Sequence, residues 1–208
     1  MGSSPTAIST PSERVGTVVR QLWAFPKSFD AAPASLPSGA VDEPRYYFPG
    51  GSSATGHDGM IVRVSPVGGR SWLGVFAFGS PTGDALDLVA STPNVHRLLV
   101  VSKGLAVAVR TDMPSDWFEI PISPVCEVLP APEQKVLVLT GYTQLAGLGE
   151  QGIRWVSERV SIDGIRILGI RGNHLAGEAS DPTGGTVVPF SVDLATGRHQ
   201  GGSGGRYR

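Results

Sequence analysis

Cysteine is almost missing from this 208-residue sequence, and Cys126 is the single one. One thiol cannot form an internal disulfide framework or a multi-cysteine metal site. Its setting, "PVCEVL", alternates like a strand, so it reads as a buried, inert thiol. Charge is also scarce: 17% of residues are charged and the formal net charge is −1. No global field steers such a chain to nucleic acid or to an anionic membrane, so neither is an expected partner. No run approaches the roughly 18 apolar residues of a membrane span. The first residues, "MGSSPTAISTPSER", lack a basic region followed by an apolar stretch. They do not read as a secretory signal, and the cytoplasm is the expected compartment. Aromatics make up only 7%, so each cluster of them draws notice.

Turn chemistry, by contrast, is in excess. The chain holds 28 glycines and 17 prolines, 45 of its 208 residues. That is about 22%, against a usual share of roughly 12%. With 40% hydrophobic residues the chain still has the means to fold rather than stay disordered. Many turns joining short elements is the expected build.

Residues 1–13 are rich in Ser, Thr and Pro and read as a flexible tail. "GTVVRQLWAF", residues 16–25, is apolar, and its periodicity does not separate strand from helix. From Pro26 to Gly59 five prolines and the cluster "PGGSSATGHDG" exclude a long helix. The whole of residues 14–58 is therefore expected to pack on the main domain or link to it. After Gly59 the pattern becomes strand after strand. Val, Ile, Phe and Trp fill the runs, and Gly, Pro, Asp or Asn bounds them. No 12-residue window has a clean 3.6 period. Residues 59–200 are expected to form one antiparallel all-β domain, with a flexible tail over 201–208.

The runs repeat. "AVAVRTDMPSDWFEI" (Ala106–Ile120) and "QLAGLGEQGIRWVSE" (Gln144–Glu158) share a strand, a turn and a tryptophan, Trp117 and Trp155. The preceding strands "RLLVVSKG" and "KVLVLTGY" keep the same offset of about 38 residues. "NHLAGEASDPTGGTVVPFSVDLATGRH" offers a third, longer unit, and "MIVRVSPVGGRSWLGVFAF" a fourth. A repeat near 40 residues with about four short strands resembles a β-propeller blade. The order of strand, small residue, strand, turn and Trp is similar to quinoprotein-type blades over residues 95–200. The resemblance implies propeller-like blades with Trp117 and Trp155 in equivalent, mostly buried places. A β-sandwich or barrel built from the same hairpins fits the runs as well.

Motif by motif, catalysis finds little footing. "GLGEQG" (Gly147–Gly152) spells a dinucleotide fingerprint, but the next stretch, "IRWVSERVS", is strand-like. The fingerprint needs a helix there, whose N-terminus holds the pyrophosphate. The glycines read as a hairpin turn, and no cofactor is expected. "GGSGG" (Gly201–Gly205) spells a nucleophile elbow, yet no strand–helix frame surrounds Ser203. The four histidines show no metal-ligand spacing, so no metal is expected. His57 and Asp58, adjacent in a glycine-rich loop, are the catalytic candidates, since a loop His beside a carboxylate can act as a base. "RYYF", Arg45, Tyr46, Tyr47 and Phe48, is the binding candidate, because Tyr and Arg are enriched in binding hot spots. Two functions remain open. One is a non-catalytic β-rich module that binds a protein partner or ligand, with homo-oligomers allowed. The other is a hydrolase-type enzyme drawing His57, Asp58, Asp84 and Asp163 from separated loops.

Overall fold

The computed structural model describes residues 19–36, 43–50, 56, 58–79 and 85–205. The described residues hold seventeen strands and no helix. They form four sheets. The first sheet holds β2 (Phe29–Pro33), β4 (Gly59–Pro66), β5 (Trp72–Ala77) and β3 (Arg45–Phe48), side by side in that order. The second orders β1 (Arg20–Leu22), β6 (Leu88–Ser91), β7 (Arg97–Ser102), β8 (Leu105–Arg110) and β9 (Trp117–Glu119). The third is the meander β10 (Glu127–Ala131), β11 (Val136–Thr140), β12 (Leu145–Gly149) and β13 (Gly152–Val156). The fourth is the meander β14 (Ile165–Arg171), β15 (His174–Asp181), β16 (Thr186–Asp193) and β17 (His199–Gly201).

Local sequence explains the hairpins. Ser102 pairs with Leu105, leaving Lys103 and Gly104 to turn, both at positive φ. That is the type I′ geometry whose twist matches the strands it joins. "GLGEQG" is the β12–β13 hairpin: Gly149 pairs with Gly152 across Glu150 and Gln151. A strand stands where a phosphate-binding fingerprint would need a helix, as its apolar spacing predicted.

The sheets stack face to face, and three apolar clusters fix their order. The first cluster of contacts joins the first and second sheets through Val62, Val64 and Phe76 against Leu98, Val100 and Val107. A second joins the second and third through Leu99, Val101 and Ala108 against Leu137, Leu139 and Leu148. A third joins the third and fourth through Val136, Val138 and Trp155 against Leu175, Phe190 and Val192. The two middle sheets are thus covered on both sides. This is why β7 and β11 are buried at every residue and read as unbroken apolar runs. On the fourth sheet β15 alternates buried and accessible residues, as a strand covered on one side does.

Four differences from the sequence reading emerge. The segment before Gly59 does more than pack on the main domain or link to it: where it is described, it contributes β1, β2 and β3 to two sheets. Residues 59–200 pair antiparallel with one another throughout, and it is the earlier segment that makes the first and second sheets mixed: β1 runs parallel to β6 and β3 parallel to β5. Neither pair is joined by a hairpin, so no tight turn forces opposite directions. The expected tail over 201–208 is anchored as far as it is described. There the Ser203 side chain is buried, donates to Ser180 O (2.7 Å) and accepts from Ile162 N–H (3.0 Å).

The fourth difference concerns the tryptophans. Trp117 pairs with Val109 and Trp155 with Gly147, so their registers match at the sequence offset. Yet Trp117 packs toward the first sheet and Trp155 toward the fourth, on opposite sides of their own sheets. The step that preserves facing is 39: Leu98 and Leu137 face backward, Leu99 and Val138 forward. A one-residue slip exchanges the faces of a strand. Phe118, opposite Ala108, holds the forward place that Trp155 occupies one sheet later.

Candidate functional site

The "RYYF" segment is β3, laid parallel beside β5 with Tyr46 opposite Gly74 and Phe48 opposite Phe76. Strand alternation divides its four side chains between two faces. Phe48 points into the stack and is fully buried. It stacks on Phe76 at 4.9 Å between ring centres and meets Trp117 edge to face at 6.0 Å. Phe48 is therefore core, not contact surface. Tyr46 shares that face but sits at its rim, half-buried, edge-on to Trp72 at 5.4 Å. Arg45 and Tyr47 lie on the other face. The Arg45 Nε is buried and has no hydrogen-bond partner among the described residues.

Trp72 is locked from the neighbouring sheet: its indole N–H donates to Thr111 O at 2.8 Å. The same device recurs farther along, where the Trp155 indole donates to Leu194 O at 2.8 Å. In both, the acceptor is the first residue after the third strand of the next sheet's meander, β8 or β16. Each bond ties neighbouring sheets at one corner.

Tyr46 and Trp72 open onto a cleft of about 440 Å³. Pro44, Pro66 and Pro114 form its apolar walls, and Arg70 and Asp112 bring charge to its rim. The Arg110 guanidinium donates to both Asp112 oxygens, at 3.1 and 2.7 Å. This contact holds the Asp112 carboxyl below the usual carboxylate range and raises Arg110. The cleft is thus an aromatic and proline-lined hollow beside an already neutralised ion pair. Such a surface offers flat apolar contact more than acid–base chemistry.

Of the catalytic candidates, the two that are described stand apart. His57 and Asp84 lie outside the described residues. Asp58 is exposed ahead of β4 on the first sheet, and Asp163 is exposed ahead of β14 on the fourth. The second and third sheets stand between those two. His96 is engaged with Ser28, Nδ1 to Oγ at 2.7 Å. Cys126 is half-buried, with its sulfur 3.7 Å from Pro124 O. No group of three His, Cys, Asp or Glu among the described residues is placed to hold a metal ion. No described helix is long and apolar enough to cross a membrane.

Sequence reasoning missed the two indole clamps, because the acceptor in each is a backbone carbonyl that any residue type supplies. A usable trace did exist in the glycines. Gly74 stands opposite Tyr46 and Gly147 opposite Trp155, and in both places an added side chain would run into an aromatic ring. Comparison with protein-family models, curated proteins and solved structures finds no match.

Proposed function

We propose that this chain is a non-catalytic binding module built from propeller-type blades, and that the Tyr46–Trp72 cleft receives an extended segment of a protein partner. Support for the blade reading comes from the spacing of the sheets. One strand in each sheet, β4, β7, β11 and β15, begins at residues 59, 97, 136 and 174, in steps of 38, 39 and 38. Face-to-face stacking with covered middle sheets agrees with it.

The observation that carries the binding reading is the lining of the cleft. A half-buried tyrosine set edge-on to a locked tryptophan, walled by prolines, is rigid and apolar. Grooves of this kind suit proline-containing peptides, whose preformed extended helix loses little entropy on docking. Trp72 is buried with its N–H engaged by Thr111, so it backs the Tyr46 ring rather than meeting a partner itself. Tyr46 is the side chain with most to gain from a partner.

Selection of random linear peptides by display on the intact protein tests this, with the Tyr46→Ala variant as counter-target. Proline-containing peptides should be enriched and should lose about tenfold or more in affinity on Tyr46→Ala, as at a hot-spot aromatic. Enrichment of no common pattern, or equal affinity for both proteins, would overturn the reading.

A further inference from the structure

We infer a second site, on the fourth sheet, that binds a small phosphate-bearing anion. Its frame is the face of that sheet turned away from the stack. Leu175, Phe190 and Val192 point into the core, so alternation sends His174, Ser191 and Asp193 outward. His174 lies opposite Asp193 and Ser191 opposite Gln200, which places four polar side chains together. The chain then turns after β16 and brings Arg198 to the same hollow, of about 430 Å³, which His199, opposite the inward Val192, borders from the other side of β17. That volume suits a small ligand, and a lining of hydroxyl, amide, imidazole and guanidinium suits a polar one.

The sign of the ligand follows from which groups are already satisfied. The Asp193 carboxylate is tied into its own turn. Its Oδ1 accepts from Ala195 N–H, Thr196 N–H and the Thr196 hydroxyl at 2.9–3.0 Å, and its Oδ2 from the Asn173 amide at 3.1 Å. These donors are neutral and leave its charge in place, but they direct the carboxylate into the turn. The Arg198 guanidinium, by contrast, makes no hydrogen bond or ion pair among the described residues. Neither do the His174 and His199 rings. Glu158 lies in an adjoining hollow that shares Arg198 and His199. Unspent donors therefore dominate: five N–H groups of one guanidinium, the imidazole N–H groups, a serine hydroxyl and a glutamine amide. Forked donation from Arg fits the paired oxygens of a phosphate. This site lies on a different sheet from the Tyr46 cleft, so either can fail without the other.

The test is a titration of the intact protein with inorganic phosphate, read on the imidazole carbon–proton signals by NMR. His174 and His199 should shift saturably up to about 20 mM phosphate, a concentration well above a millimolar Kd. His96, held by Ser28 on another face, should stay put, and chloride at matched ionic strength should not reproduce the shifts. Arg198→Gln should weaken phosphate about tenfold or more, as loss of a charge-assisted contact does. Ser191→Ala, a second variant, should weaken it a few-fold. Phenyl phosphate in place of inorganic phosphate separates the two sources: tighter binding assigns a phosphomonoester, equal or weaker binding free phosphate. Shifts copied by chloride, an affinity unchanged in an Arg198→Gln protein that melts like its parent, or no shift at the highest phosphate would each overturn the site.

Discussion

Trp155 lies directly across the β12–β13 ladder from Gly147, and its indole fills the space a side chain at Gly147 would take. The ring can then reach over to Leu194 on the fourth sheet. Replacing Gly147 with alanine drives a methyl group into a ring that is only 6% exposed and packed on every side. Overpacking of this kind costs about 1–3 kcal/mol. Gly205 gives the control, since an added Cβ there meets nothing within 4 Å. Thermal melts should show Gly147→Ala clearly destabilised and Gly205→Ala near the parent. Equal melting of the two would mean that the indole does not rest over Gly147.

The indole clamp at the other seam predicts a smaller effect. Trp72→Phe keeps most of the apolar ring but removes the donor to Thr111 O, a bond marked by a buried N–H. An orphaned buried carbonyl costs about 1–3 kcal/mol. Melting should fall accordingly, and the backbone amides around Thr111 should exchange faster with solvent. Unchanged exchange at Thr111 would show that the first and second sheets are held without this bond.

Much of the fold was legible because hairpins are local. The turn at Lys103-Gly104 and the one at Gly172-Asn173 reflect which residues tolerate positive φ, and Gly172 is the positive-φ residue of its pair. Unbroken apolar runs such as "LLVV" in β7 announce strands covered on both faces. Three other features stayed out of reach for physical reasons. The parallel strands β1 and β3 pair with segments far along the chain, and nothing local encodes such a pairing. The facing of Trp117 depends on one residue of register, which a repeat offset of 38 or 39 cannot settle without the cores. The phosphate-site residues His174, Arg198 and His199 are ordinary turn and strand-end residues in sequence. Only the return of β17 against β16 gathers them. The letters of "RYYF" do not say which of its residues are accessible, because strand alternation and β5 bury Phe48 and leave Tyr46 at a rim.

Acid should weaken the turn after β16. Hydrogen bonds from Thr196, led by its hydroxyl, with those from Ala195 and Asn173, hold the Asp193 carboxyl below its ordinary value. A carboxyl depressed on folding stabilises the folded state above its unfolded pKa, and loses that contribution as pH falls through the folded pKa. Melting temperature should therefore drop as pH is lowered from about 5 toward 3. Asp193→Asn, which keeps the shape and one acceptor but cannot titrate, should show a shallower acid limb. Parallel acid limbs in parent and variant would show that Asp193 is not a source of the decline.

The hairpin of β14 and β15 gives the sharpest test of facing. Ile165 and Ile167 pack against the core shared by the third and fourth sheets. Arg166, between them, points outward and pairs with Glu178 directly across the ladder, its Nε 3.0 Å from Oε2. A bulge between Ile167 and Gly169 then lets Leu168 stand 56% exposed and returns Ile170 to the core. Ile167→Asp removes apolar contact and forces a carboxylate against that core with no partner, which should cost several kcal/mol, roughly 3. Arg166→Ser breaks an ion pair whose arginine side chain is 70% exposed. Such pairs contribute about 1 kcal/mol or less. Denaturant unfolding of both variants should therefore place Ile167→Asp far below the parent and Arg166→Ser close to it. If Arg166→Ser were the more damaging, the two faces of β14 would be exchanged, and with them the β14–β15 register that sets Arg166 opposite Glu178.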